Sequence, residues 1–276
     1  MKRILTVGQG NPSSQWLASA LPKAYEVVCC AGGADAIRLL RERAFDVLVT
    51  DPATPAREDL AIAIEGQRAR PGVRVVVLSS ATTPDDVIMA LKANVFACFS
   101  PPFDPADVAE MIKSAADADP LQGGIEVVSG LPHWITLRVN SRFITAERLV
   151  RFMTEYRSDV AADDRFRLMT AFREMLLNAM EHGAGFDPEK VVEVTAARTD
   201  NAIVYHFRDP GRGFDRSALA HAARSAAAND VAASADRRQD LGLRAGGFGM
   251  LLAREIVDEL IYNERGNEVL LIKRTT

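Results

Sequence analysis

The sequence predicts two consecutive folds: an α/β domain built on a doubly wound, five-stranded parallel sheet, then an α+β sandwich with helices on one face of a mixed sheet. Two observations predict this. Over residues 1–118, short β-branched apolar runs alternate with amphipathic stretches, the pattern of strands buried on both faces and joined by helices. Beyond residue 125 that alternation gives way to strands bracketing longer helices, with a Gly-Asn turn near the end.

In the first half, Ile4–Val7, Tyr25–Cys29, Phe45–Thr50, Val73–Leu78 and Val95–Phe99 read as strands. Ser14–Leu21, Ala34–Arg43, Leu60–Arg68, Pro84–Ala93 and Pro105–Ala116 read as the helices between and after them. Residues 119–124 lie in a polar stretch with a proline and a glycine pair, and read as a linker. The predicted domains are therefore 1–118 and 125–276. In the second, strands are expected near 125–129, 134–139, 190–198 and 201–208, and at Leu260–Tyr262 and Glu268–Lys273. Helices are expected near 144–157, 163–182 and 247–259.

Composition narrows the class. The chain has 276 residues, 48% of them hydrophobic and 25% charged, enough for two globular cores. A net charge of −4 gives no basic excess to draw the chain to nucleic acid or to a membrane. No apolar run approaches the roughly 20 residues of a membrane span. Cys29, Cys30 and Cys98 show no metal spacing and read as buried free thiols. With no secretory pattern at the start, a reduced, cytoplasmic location is expected.

The strand ends of the first half carry chemistry. Asp51 follows the third strand in "FDVLVTDPATP", Ser79 ends the fourth, and "SPPF" follows the fifth. Here the chain resembles the response-regulator receiver family. The resemblance implies a phosphoryl acceptor at Asp51 and a reporting hydroxyl at Ser79. Two positions depart from the family pattern: Gly8 and Gln9 stand where it has an acidic pair for Mg²⁺, and Pro101 stands where it has lysine. A hard cation needs several oxygen ligands, and a phosphoryl transition state needs its charge neutralised. The expectation is a pseudo-receiver, an interaction or dimerisation module that is not phosphorylated in the usual way; the alternatives are phosphorylation at Asp51, and an Asp51 that only caps a loop.

Three boxes mark the second half. "REMLLNAMEHG" sets Glu174 and Asn178 one helical turn apart on an otherwise apolar helix, with Glu181 and His182 continuing that face into the next loop. An amide carbonyl suits a partly hydrated Mg²⁺ on phosphates, and a neighbouring carboxylate suits a general base. "RDPGRGFD" puts Asp209 at a strand end, where it can accept from an exocyclic amine. Gly211 and Gly213 there let a planar ring approach the backbone. "RAGGFGMLLAREIVDEL" places Gly246, Gly247 and Gly249 at the start of an apolar helix, where free amides favour phosphate.

Together, in this order and with the tail "IVDELIYNERGNEVLLIKR", the boxes resemble the histidine-kinase-like ATPase superfamily, and within it the anti-sigma-factor serine kinases. The resemblance implies ATP and Mg²⁺ as cofactors, Asn178 as metal ligand, Glu174 as base and Asp209 as adenine reader. It implies a nucleotide pocket shaped by Gly211 and Gly213, with His182 in its wall, and a phosphate cradle of Gly246, Gly247 and Gly249. Residues 215–245 are implied to form a lid, with Arg244 reaching the phosphates. Three functions are compatible. The first is a serine/threonine protein kinase acting on an anti-anti-sigma-like protein and sequestering a sigma factor. The second is a nucleotide-gated interaction module without kinase activity. The third, a sensor histidine kinase, ranks lowest: His133, His182, His206 and His221 occupy no helical hairpin, and the linker has no room for one. A homodimer is also expected.

Overall fold

The computed structural model describes residues 1–8, 16–17, 19–22, 24–118, 124–213 and 248–275. Backbone contacts divide the chain into two compact units. Unit 1 holds Met1–Pro132 and Glu147–Ala161; unit 2 holds His133–Ala146 and Ala162–Thr276. Residues 125–132 and 147–161, assigned to the second domain on sequence grounds, thus group with the first.

Unit 1 contains β1 (Lys2–Val7), β2 (Tyr25–Cys30), β3 (Val47–Val49), β4 (Arg74–Leu78) and β5 (Ala97–Phe99). They form one parallel sheet in the order β2-β1-β3-β4-β5. Helices α1 (Gly33–Glu42), α2 (Ala56–Ala69), α3 (Pro84–Lys92) and α4 (Pro105–Asp117) follow β2 to β5 in turn. The doubly wound architecture expected from the apolar runs is therefore present, and strands β3, β4 and β5 are buried throughout. Trp16, Leu17, Ser19 and Ala20 are helical; the rest of the helix expected there lies mostly outside the described residues.

Local chemistry fixes the helix starts. Thr83 and Asp86 form a reciprocal capping box on α3, with Pro84 in its first turn. Asp104 caps α4 through the Ala106 amide at 2.8 Å. One expectation fails on β2: Cys29 is exposed and Cys30 buried. Adjacent residues on a strand point to opposite faces, and β2 is the sheet's edge.

Unit 1 also contains β6 (Ile125–Leu131) and most of α5 (Phe143–Tyr156). Gly130 lies so close to Ile88 of α3 that a Cβ there would stand 2.9 Å from its Cγ2, and the Tyr156 hydroxyl donates to the Leu131 carbonyl at 2.9 Å.

Unit 2 orders its strands β10 (Glu259–Tyr262), β11 (Glu268–Arg274), β9 (Ala202–Arg208), β8 (Val191–Arg198), β7 (Trp134–Asn140). Each of these pairings is antiparallel, where a mixed sheet was expected. Tight reversals join β8 to β9 and β10 to β11, and such short connections permit only antiparallel neighbours. Val194, Phe207, Tyr205 and Leu271 lie in register on one face and are buried. Phe172 of α6 (Ala162–Asn178) seats that helix on the sheet, its ring 4.9 Å from Tyr205 and 5.0 Å from Phe207. The opposite face carries Glu193, His206, Arg208 and Glu268, with Arg208 3.5 Å and His206 3.3 Å from Glu268.

Candidate functional site

The helix expected over 163–182 changes character before it ends. After Asn178 the chain continues as a π-helix, Ala179–Gly183. The Ala184 amide reaches Ala179 at 3.1 Å, and the Phe186 amide reaches Met180 at 2.9 Å. Glu181 and His182, expected to carry the helix face into the next loop, therefore lie in this wider turn, and His182 is exposed. Such π-bulges are rare and concentrate at functional sites.

The π-helix delivers Gly183 to Asp209, which follows β9. A Cβ at Gly183 would fall on the Asp209 carboxylate. A Cβ at Gly211 would stand 2.7 Å from Asp209 Oδ1 and 2.9 Å from Gly183 Cα. Only two glycines allow this approach of backbone to carboxylate. Asp209 is held on three sides. Its Oδ1 accepts from the Gly211 amide at 2.8 Å, its own amide donates to the Asn267 carbonyl at 3.0 Å, and Asn267 Nδ2 donates to its carbonyl at 3.1 Å. Burial pushes its carboxyl pKa up, opposed by the Gly211 amide and the Arg265 charge.

Gly213 has φ +80°, a left-handed conformation, and a Cβ there would collide with the Arg265 carbonyl. It brings the "RDPGRG" turn against the β10–β11 turn, where Arg265 Nε donates to the Arg212 carbonyl at 3.2 Å. Asn263 Oδ1 ties that turn together, accepting from the Gly266, Asn267 and Glu268 amides.

Glu174 and Asn178 are both half-buried on α6. Helix α7 (Phe248–Ile256) approaches Glu174 so closely that a Cβ at Gly249 would overlap its carboxylate. Arg173 lies 3.7 Å from the same carboxylate. Under this junction the Tyr262 hydroxyl meets the sulfurs of Met175 and Met250 at 3.8 and 3.5 Å.

The structure thus assembles two groupings: Gly183, Asp209 and Gly211, and Glu174 with Gly249, linked by the α6–π-helix segment that carries Asn178. Arg244, Gly246, Gly247 and the 215–245 segment lie outside the described residues. Gly183, Asn267 and Arg265 belong to the site without having been singled out. The signal for Gly183 was present in "EHG", and that for Asn267 in the Gly266-Asn267 turn. Among the described residues no group of three or more His, Cys, Asp or Glu side chains is placed to hold a metal, so a cation here would need phosphate oxygens as partners. The neutral Asn178 carbonyl suits such a shared coordination.

At the strand ends of unit 1, Asp51 Oδ1 accepts from the Ala53 amide at 2.9 Å, which caps its own loop. Ser79 is fully buried. Gly8 stands at the end of β1 with φ +97°, and Gln9 lies outside the described residues.

Comparison with known proteins agrees with both halves. Residues 140–273 match the model of the histidine kinase-like ATPase domain, and residues 13–113 match that of the response regulator receiver domain. The chain joins a receiver domain to a histidine kinase-like ATPase domain. Curated relatives include the transcriptional regulatory protein GlrR of Escherichia coli K12, 25% identical over 93 residues, and QseF of E. coli O157:H7 at the same identity. That match spans 34% of this chain and only 21% of each relative. Among solved structures, a CheY-like receiver domain from Methanospirillum hungatei is 23% identical, over 42% of this chain and 94% of its own, at a TM-score of 0.39. Vibrio cholerae CheY4 is 19% identical, over 42% and 98%, at 0.37. Among the described residues no helix is long and apolar enough to cross a membrane.

Proposed function

We propose that the chain is a signalling regulator whose ATPase domain binds ATP with Mg²⁺ and phosphorylates a serine or threonine of an anti-anti-sigma-like partner, while holding a sigma factor or similar target. The observation that carries this reading is the apposition of Gly183, Asp209 and Gly211, a half-buried carboxylate at a strand end walled by glycine backbone. When bound, ATP and Mg²⁺ supply the γ-phosphoryl group and the charge that activates it. Asp209 accepts a hydrogen bond from the exocyclic amine of adenine. Asn178 offers its amide oxygen to the metal. Glu174 takes the proton of the partner's hydroxyl, and positioning contributes much of the rate.

A second reading, a nucleotide-gated interaction module without kinase activity, is favoured by the receiver domain. Gly8 and Pro101 replace the groups that would neutralise a phosphoryl transfer, and Asp51 is engaged in capping its loop.

Calorimetric titration of the full chain with ATP and Mg²⁺, beside Asn178→Ala, tests the first premise. Metal-dependent binding that the substitution abolishes supports it. A folded chain that takes no nucleotide refutes both readings. Phosphate transfer to a serine or threonine of a partner separates kinase from module, and acid-labile phosphohistidine would restore the sensor-kinase alternative.

A further inference from the structure

Helix α5 is fastened at both ends by buried polar contacts that the proposed chemistry does not use. Near its C-terminus, inside unit 1, Glu155 is 3% exposed. Its Oε2 accepts from the Thr82 hydroxyl at 2.7 Å and, through a short bond, from the Ser100 hydroxyl; its Oε1 meets Arg151 one turn earlier. Thr82 lies in the loop after β4 and Ser100 in the loop after β5, and their hydroxyls are 3.3 Å apart. Arg148, 5% exposed, donates to the carbonyls of Phe96 and Val95 at 2.9 and 3.4 Å, and its guanidinium lies over the Phe96 ring. Arg151 lies over Phe99 at the end of β5. Ser158 donates to the Thr82 carbonyl at 3.4 Å. The segment is seated on β5 and the two flanking loops by a sealed polar seam whose bonds are directional, so the loops and the helix hold one another to a single arrangement.

Just before α5 begins, inside unit 2, Ser141 is fully buried and donates to the Met180 carbonyl at 3.1 Å. That carbonyl belongs to the π-helix and also accepts from the Phe186 amide. Each set of contacts lies within one unit. What joins them is the unbroken backbone of α5, 14 residues and about 21 Å long.

We propose that α5 is a coupling helix: Glu155 reads the arrangement of the β4 and β5 loops of the receiver domain, and Ser141 conveys it to the π-helix that presents Gly183 to Asp209.

Hydrogen exchange of the nucleotide-free full chain tests this independently of ATP binding, so failure of the coupling and failure of the proposed function are read separately. The variants are Glu155→Ala and Ser100→Ala. Expected is exchange about tenfold faster at the Ala184, Gly185 and Phe186 amides, with the β8–β9 amides unchanged. The proposal is overturned if those three amides stay within about twofold of the wild type, whether or not amides of the β4 and β5 loops accelerate. Uniform acceleration of every amide overturns it too. If Glu155→Ala does not fold, Ser100→Ala, which removes one donor and leaves the carboxylate paired, decides by the same criteria.

Discussion

Asp59 offers a quantitative test of the receiver domain's interior. It lies in the first turn of α2 and is completely buried, yet it is a carboxylic acid. Thr54 donates to its Oδ1 at 2.6 Å; its Oδ2 has no hydrogen-bond partner among the described residues. Burial, with a smaller contribution from the Asp51 charge, lifts its pKa from the ordinary 3.8 to about 7, against the opposing Thr54 and Thr50 hydroxyls. In the unfolded chain the group ionises near its ordinary value, so between pH 4 and 7 the folded state binds the extra proton. Stability from this site is therefore fully present below pH 4 and is lost as pH rises through 7. At about 1.4 kcal/mol per pH unit, the loss across that window is about 4 kcal/mol. Asp59→Asn keeps an acceptor for Thr54 and cannot ionise. It is expected to match the wild type near pH 4 and to exceed its stability at pH 8 by up to about 4 kcal/mol, on the order of 10 °C in Tm. Trp16, whose ring is 6.4 Å from that of Phe103, reports unfolding of the receiver domain in a Trp134→Phe background, since the chain has two tryptophans. Parallel pH profiles for the two proteins would refute the assignment of a buried, neutral Asp59.

Three further outcomes follow from the ATPase domain. Gly183→Ala drives a methyl group into the Asp209 carboxylate, and is expected to cost about 1–3 kcal/mol in urea unfolding and to weaken ATP binding in calorimetry; an unchanged unfolding midpoint would contradict the apposition. Because burial raises the Asp209 pKa while an adenine amine favours its charged form, ATP affinity should fall as pH is lowered and Asp209 protonates, and Asp209→Asn should remove that dependence; a flat wild-type profile argues against Asp209 as the adenine contact. Phe172→Ala removes the ring that seats α6 against Tyr205 and Phe207, and should destabilise this domain by about 3–5 kcal/mol, measured by chemical denaturation followed at Trp134.

The parts of the fold that were legible are those in which one physical requirement dominates. β3, β4 and β5 are buried on both faces, so their runs are apolar without alternation and stand out in the sequence. Gly211 and Gly213 were legible because no other residue tolerates their surroundings. Cys29 was misjudged because two adjacent cysteines on an edge strand cannot both face inward. The π-helix was not legible: five residues widen the turn without altering the apolar spacing of Met175, Leu176 and Leu177 that precedes it. Nor was the seam on α5. Arg148, Arg151 and Glu155 fall at helical spacing and read as the wet side of an amphipathic helix. Glu155 is buried against the hydroxyls of Thr82 and Ser100, more than fifty residues earlier, and Arg148 against the carbonyls of Val95 and Phe96, and no local pattern reveals such partners. Gly183 and Asp209 also meet across a gap in sequence, of 26 residues, which is why their boxes carried weight only in combination.

The grouping of 147–161 with the receiver domain has a consequence for how the chain is made. A receiver ending at residue 118 would be free to fold once that residue had left the ribosome. Here Thr82, Ser100 and the carbonyls of Val95 and Phe96 lack their partners until residue 158 emerges, and the strand from Trp134 to Asn140 must appear in between. At about 5–20 residues per second, the nascent domain waits some 2–8 s with the end of β5 uncovered. During that interval the rings of Phe96 and Phe99, which Arg148 and Arg151 come to cover, are open to chaperones, so slower translation of residues 119–158 is expected to lower the yield of folded chain.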